Sequence, residues 1–549
     1  MRDGLKLSLT YLISAILIVS TMDRITKPDA QAAGFTNNRL FGVSVEGPLA
    51  GPRSPPASIE GYVVRVDATG AVLGPGTSVA PGDRIGLALS APAGIDWSPA
   101  IRDSSGTAVA KLAAFHVGSH IAQSATPWID GDGYPVATIW DVPKNLASGV
   151  YFVGDLPQLF FVVRQSAEAD APVVVLLPTN TLNAYTNTDG HSLYKAPIAV
   201  TSVTFLRPQQ NAGVRQWLAF LRWTGERHPF NVPVAFASDF DMDDAALLEH
   251  AKVLIVLGHS EYWTRQARMN FDAFVSRGGD AIMAGGNDMW WQTRYSPDHR
   301  IMYEYRDKSD LPADQGGDPE SNPLLKTKLW IDQTLKFPII RSVGGDFRHA
   351  GYGQRGRRNG LFSSHFTLAE AASPLFAGTG LKTCDAIALP LSTEYDGAPI
   401  TGLDSIGRPV PDLAEIHAFR FELLAYEWNH DSAYKLGTMH IMQRKLKSGY
   451  VLHMGARECC MTEAFYKDNA NGSLAIQAVL KNAVRLFLSD ADPMPDAHPN
   501  RPAVFAMRTP WKSDLPDVPP GPCAPQPSGM ATSASMVHAL TGPEETPGN

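Results

Sequence analysis

Three short stretches carry side chains whose type and spacing fit chemistry. The first is Val256-Leu257-Gly258-His259-Ser260-Glu261-Tyr262-Trp263, where an apolar run delivers an imidazole, a hydroxyl and a carboxylate into one tight loop. Such a trio supports proton transfer or metal ligation. It is equally the composition of a loop whose His259 and Glu261 cap the following helix. The second is Gly285-Gly286-Asn287, followed by Trp290 and Trp291. Asn287 either completes a left-handed turn or points an amide into a pocket. The third is Glu394 in Ser392-Thr393-Glu394-Tyr395-Asp396, after the apolar Ala386–Leu391. Its carboxylate is either solvated or functional. Tyrosines cluster nearby in sequence at Tyr185 and Tyr194, on either side of Gly190.

Two tempting motifs fail on inspection. Gly258-x-Ser260 begins a nucleophile elbow, but Tyr262 stands where the strained turn needs a second glycine. Asp239-Phe240-Asp241-Met242-Asp243-Asp244 lacks the glycine and the glutamate of a calcium loop. Its acids are expected to open a helix running from Asp243 to Ala251, where they complement the dipole.

These residues need a scaffold. Val173–Leu177 is a continuous apolar run, as in a strand buried on both faces; Val253–Leu257 reads as a second buried strand and Asp280–Ala284 as a third. Helical spacing over Val214–Trp223 and Thr264–Ser276 falls between them, and Leu474–Leu488 reads as a closing helix. That alternation predicts an α/β domain over 169–490, with a mostly parallel sheet and crossover helices. Ligands then bind beyond the carboxyl ends of the strands, at 178–194, 258–263 and 285–294. Residues 57–168 read differently: short strand candidates at Gly61–Val66, Ile85–Leu89, Val150–Val153 and Leu159–Val163, with Gly/Pro turns, predict a small β-sandwich.

The termini are distinct. Arg2 and Lys6 precede apolar Leu7–Met22, and Ala30-Gln31-Ala32 offers small residues for cleavage. Residues 1–32 are therefore read as a signal peptide, or as a membrane anchor if uncleaved, and the protein as periplasmic or secreted. Residues 33–56 read as a Gly/Pro linker, and the Pro-rich 491–549 as a disordered tail. The chain has 549 residues, 44% hydrophobic and 19% charged, with a formal net charge of −8. That balance argues against a nucleic-acid partner. Export permits disulfides among Cys384, Cys459, Cys460 and Cys523, although the adjacent pair is poorly placed to bridge itself.

Taken together, Gly149-Val150-Tyr151, Asn183-Ala184-Tyr185 with Ser192-Leu193-Tyr194, Gly258–Trp263, Gly285-Gly286-Asn287 with Trp291–Arg294, and Glu394-Tyr395-Asp396 resemble the large-subunit family of N,N-dimethylformamidase. The resemblance spans about residues 60–490. It implies an enzyme that hydrolyses the C–N bond of small amides, with a mononuclear non-haem ferric ion held by two tyrosines and a glutamate. Glu261 and Tyr185 match two of these ligands. Tyr151 matches the second tyrosine better than Tyr194, because the family's tyrosines are well separated. His259, Asn287 and Glu394 match its other active-site residues. A small companion subunit or a homo-oligomer is implied as well. The chain departs from the family around Tyr185, with Tyr-Thr-Asn and Asp-Gly where Tyr-Asn and Gly-Gly are more usual.

The implied chemistry is coherent. Phenolate and carboxylate are hard donors suited to a hard ion, and three negative charges neutralise a trivalent one. Two alternatives remain at this stage: a non-catalytic or glycan- or peptide-binding protein on the same fold, and a serine hydrolase using Ser260.

Overall fold

The computed structural model describes residues 59–122, 124–165, 170–194, 198–352, 364–389, 394–405, 407–429, 435–461, 465, 473–495, 505–506 and 523. The expected signal peptide, the linker over 33–56 and most of the tail lie outside them.

The N-terminal strands form two sheets. With β1 Glu60–Val66, β2 Val72–Pro75, β3 Ser78–Val79, β4 Arg84–Ser90, β5 Ala100–Arg102, β6 Ala108–Lys111, β7 Val136–Asp141, β8 Gly149–Val153 and β9 Leu156–Val163, the orders are β2-β1-β4-β7 and β3-β9-β8-β5-β6. The sheets face each other across a core containing Val63, Ile85 and Leu87 from one and Tyr151, Val153, Phe161 and Val163 from the other. Side chains alternate along a strand. So Val150, Phe152, Phe160 and Val162 leave the opposite face of β8 and β9 and enter a second, larger core. One pair of strands thereby serves two cores.

That larger core belongs to a nine-stranded sheet. Its strands are β10 Val173–Leu177, β11 Val234–Ser238, β12 Val253–Leu257, β13 Asp280–Ala284, β14 Ser364–Leu368, β15 Ala386–Leu389, β16 Arg420–Asn429, β17 Lys435–Gln443 and β18 Tyr450–His453, in the order β11-β10-β12-β13-β18-β17-β16-β14-β15. Residues of β10 alternate between the two sides: Val173, Val175 and Leu177 meet α2 (Asn211–Arg227) and α4 (Ser473–Leu488), whereas Val174 and Leu176 meet α3 (Arg265–Ser276). Full burial on both faces is why these strands carry unbroken apolar runs.

The expectation of a mostly parallel sheet with crossover helices is not met. Only β11-β10-β12-β13-β18 run parallel; β18-β17, β17-β16, β16-β14 and β14-β15 are antiparallel. Across the chain, strands in antiparallel and mixed sheets predominate over helices. The physical reason lies in 364–443, where long strands join by hairpins and need no crossover helix. The helix expected from Asp243 to Ala251 is also absent. Asp239–Asp243 and Ala245–Leu248 form short 3₁₀ turns instead. Asp241 accepts from the backbone N–H of Ser238, and Asp239 accepts from Thr179 and Asn180. The acids cap turns and hold the start of α1 (Thr179–Tyr185).

After residue 490, Phe505–Ala506 pairs with Ile400–Leu403, and Cys523 forms a disulfide with Cys384. Cys459 and Cys460 are buried and free. Among the described residues no helix is long and apolar enough to cross a membrane.

Candidate active site

Parallel neighbours end on the same edge of a sheet, so β10, β12, β13 and β18 bring four segments together there. The turn after β12 is forced tight. Gly258 has φ +67°, and a Cβ on it would lie 1.9 Å from Met461 Sδ. A Cβ on Gly285, after β13, would lie 1.9 Å from the carbonyl oxygen of Gly258. Only glycines let the two loops approach so closely. They are then stitched: Met289 donates its N–H to Ser260 O at 2.7 Å, and Trp291 donates to Glu261 O at 2.9 Å.

This places Glu261 and His259 beside Tyr185, the last residue of α1. The Tyr185 hydroxyl donates to Glu261 Oε2 at 2.7 Å and lies 3.5 Å from His259 Nε2. His259 Nε2 is 3.4 Å from Glu261 Oε2 and 3.6 Å from Glu394 Oε2, and its Nδ1 is 3.3 Å from Gly286 O. Glu394 comes from a short strand, Glu394–Gly397, laid against the segment after β18: Arg457 donates its N–H to Glu394 O at 3.0 Å. Asn287 Nδ2 donates to Glu394 Oε2 at 3.1 Å, and Arg457 Nη1 is 3.3 Å from Glu394 Oε1. Glu261, His259 and Asn287 are buried, whereas Tyr194 is 36% and Tyr352 51% exposed. The tyrosine side is therefore the open side.

Loop geometry explains the departure around Tyr185. Arg207 is fully buried, pairs with Asp189 at 3.2 Å, and donates to the carbonyls of Asn183 and Thr186. Asp189 thus has a fixed partner that secures the end of α1.

Electrostatics divide the groups. Burial, followed by the charge of Glu261, pushes the Tyr185 phenol well above its ordinary pKa. Burial opposes charge on Glu261, but the hydrogen bond from His259, its charge and Arg306 outweigh it, leaving the carboxyl below the usual range. Burial and Arg457 oppose charge on His259, yet Glu394 and Glu261 raise it overall. A phenolate at Tyr185 therefore requires a strong positive charge beside it.

Five of the six residues singled out from the sequence meet here: Tyr185, His259, Glu261, Asn287 and Glu394. Tyr151 does not. Its position in β8 turns it into the sandwich core, where its hydroxyl donates to Ala147 O at 2.8 Å and its ring stacks on Phe161 at 5.7 Å. Burial raises its pKa to about 12. Tyr194 is the tyrosine that accompanies Tyr185, with ring centroids 4.7 Å apart and planes 28° apart. Ser260 is fully buried and its oxygen accepts from the Trp263 indole at 3.0 Å. It is a strut of the loop, and the serine-hydrolase alternative loses its nucleophile. Arg457 and Arg306 escaped the sequence reading. Arg457 was findable, because it follows a strand whose carboxyl end lies on the same edge.

A family model described as N,N-dimethylformamidase beta subunit-like, C-terminal, matches residues 91–456. The chain belongs to this family. The match includes every residue of the cluster except Arg457, one position beyond it. No curated protein matches the sequence. Among solved structures, a putative ThuA-like protein from Bacteroides uniformis ATCC 8492 is similar at 11% identity, covering 60% of this chain and 97% of its own, with a TM-score of 0.29. The beta-galactosidase from Bacillus circulans sp. alkalophilus is similar at 11% identity over 59% of this chain and 32% of its own, also with a TM-score of 0.29. Scores so low carry no argument about this member of the N,N-dimethylformamidase-like family.

Proposed function

We propose that the chain is a metal-dependent hydrolase of the C–N bond of small amides, using a mononuclear ferric ion held by Tyr185, Glu261 and Tyr194. The observation that supports it is the buried meeting of the Tyr185 hydroxyl with the Glu261 carboxylate, with His259 Nε2 within 3.5 Å of both. The donors fit the ion: phenol and carboxylate oxygens are hard ligands. Tyr151 cannot join them, so Tyr194 takes its place in this reading. Bound there, the ion would supply Lewis acidity toward an amide carbonyl and lower the pKa of water.

The chain's own residues divide the remaining work. Glu394 is the base that takes a proton from water and returns one to the leaving amine. His259, between Glu261 and Glu394, relays protons and orients both carboxylates. Asn287 Nδ2 donates one of its two hydrogens to Glu394, and its buried Oδ1 has no hydrogen-bond partner. An unpaired buried acceptor calls for a donor, and the N–H of an amide or amine is one. Arg457 holds the far oxygen of Glu394.

The same reading takes the protein to be exported, by way of residues 1–32, and the Cys384–Cys523 disulfide suits an oxidising compartment. The family's description as beta subunit-like is consistent with a companion subunit. Iron content, visible colour and amide hydrolysis by purified protein test the proposal. A colourless protein that takes up no iron and releases no amine from small amides sinks it.

A further inference from the structure

Behind the cluster just described lies another group that the proposed chemistry does not use. Asp288, Asp396 and His453 are each at most 1% exposed. They come from the loop after β13, the strand Glu394–Gly397 and the end of β18. His453 Nε2 lies 3.1 Å from Asp396 Oδ2 and 3.5 Å from Asp288 Oδ2. One ligand atom from each residue falls within 4.8 Å of the others.

Acid clusters alone mean little; the state of the histidine is what matters. Nδ1 of fully buried His453 makes no hydrogen bond, and its Nε2 is shared at ion-pair distance between two carboxylate oxygens. Asp288 Oδ2 and Asp396 Oδ1 are likewise without hydrogen bonds. The other oxygens are held: Asp288 Oδ1 accepts from Ser260 N at 3.1 Å, and Asp396 Oδ2 accepts from Asp288 N at 3.0 Å. Among the described residues no lysine or arginine forms an ion pair with either carboxylate. The neighbouring His440 has both nitrogens engaged, with Thr438 and Val343 O. One imidazole can offset only one of two buried carboxylate charges, and burying the other unmatched is costly.

We propose that Asp288, Asp396 and His453 bind a divalent first-row transition-metal ion, distinct from the ion at Tyr185 and Glu261. Two carboxylates and a neutral imidazole cancel a double positive charge. Ligands about 2.0–2.2 Å from such an ion sit roughly 3.0–3.5 Å from one another, for octahedral or tetrahedral angles. The observed 3.1 and 3.5 Å separations already match. The mixed nitrogen–oxygen set suits zinc, manganese or iron(II). Asp288 follows Asn287 and Asp396 lies two residues after Glu394, so the ion would fix the backbone that presents both.

The test uses the full chain, stripped by chelator and reloaded with Co²⁺, whose visible bands and atomic content report the site. Wild type is expected to retain two equivalents per chain. A Tyr185→Phe/Glu261→Gln variant should keep one, with a Co²⁺-dependent rise in Tm. Asp396→Asn, which is nearly isosteric, should lose that equivalent and that rise. A folded Tyr185→Phe/Glu261→Gln protein that binds no Co²⁺ overturns the proposal, as does an Asp396→Asn protein that binds as much as wild type. If Asp396→Asn does not fold, the count in the first variant still decides. A wild type with one equivalent that survives Tyr185→Phe/Glu261→Gln supports this site and removes the iron reading instead.

Discussion

At the residue scale, Glu394 and Tyr151 offer opposite tests. Glu394 meets Asn287, Arg457 and His259 through its two oxygens. Glu394→Gln keeps the shape and removes the proton acceptor. We expect kcat to fall about 10²–10⁴-fold with metal content unchanged; loss of the metal would place Glu394 among its ligands. Tyr151→Phe should leave colour and metal content as they are and cost about 1 kcal/mol of stability, from the lost bond to Ala147 O. Tyr194→Phe and Tyr185→Phe should each weaken the phenolate colour. A band abolished by Tyr151→Phe and kept in Tyr194→Phe would restore the pairing expected from the sequence. That pairing rested on spacing along the chain, which cannot register which face of β8 a residue takes. Period-two alternation between two buried faces decides it, and both faces of β8 are apolar.

At the scale of elements, the parallel half of the sheet was legible because β10 and β12 are short, wholly apolar and bounded by turns, and β13 is apolar after its opening Asp280. The rule that sites gather at strand ends then pointed to the loops that carry Tyr185, Glu261 and Asn287. The antiparallel half was not legible. In β17, Thr438 and His440 are buried among Leu436, Met439, Ile441 and Met442, so neither alternation nor an apolar run marks it. The buried Asp288, Asp396 and His453 were hidden because they stand far apart in the sequence and meet only in the fold. Asp280, opening β13, gives a test of the sheet itself. Burial, against the opposing hydrogen bond from Tyr450 N, raises its pKa to about 7. The folded state therefore holds a proton that the unfolded chain releases between its ordinary 3.8 and about 7. Stability from this group is present below that window and is lost as pH rises through it. Asp280→Asn keeps an acceptor for Tyr450 N without the charge. Its stability should match wild type near pH 4 and exceed it above pH 7, by on the order of 4 kcal/mol at most, read as a higher Tm. A constant Tm difference across that range would show that Asp280 is ionised in the fold.

For the whole molecule, the disulfide is the feature that ties distant chain together. It joins Cys384 to Cys523 across 139 residues, and Tyr426 donates its hydroxyl to Cys523 O at 2.8 Å. Cys384 itself leads into β15, the outermost strand of the nine-stranded sheet. The bond therefore anchors the C-terminal segment at the sheet's antiparallel edge, far along the sheet order from β10, β12 and β13. Closing so long a loop restricts the unfolded chain, and removing such a bond costs about 2–5 kcal/mol. The consequences separate stability from chemistry. A Cys384→Ser/Cys523→Ser protein should melt several degrees below oxidised wild type, and reductant should lower the wild-type Tm toward it while leaving the variant unmoved. Metal content and the rate at saturating substrate should be the same in both, because Tyr185, His259, Glu261 and Asn287 follow parallel strands remote from the bond in the sheet order. Equal melting of oxidised wild type and variant would mean that the tail adds nothing to the fold. A loss of metal in the variant would mean that strain at the antiparallel edge reaches Glu394 through the sheet.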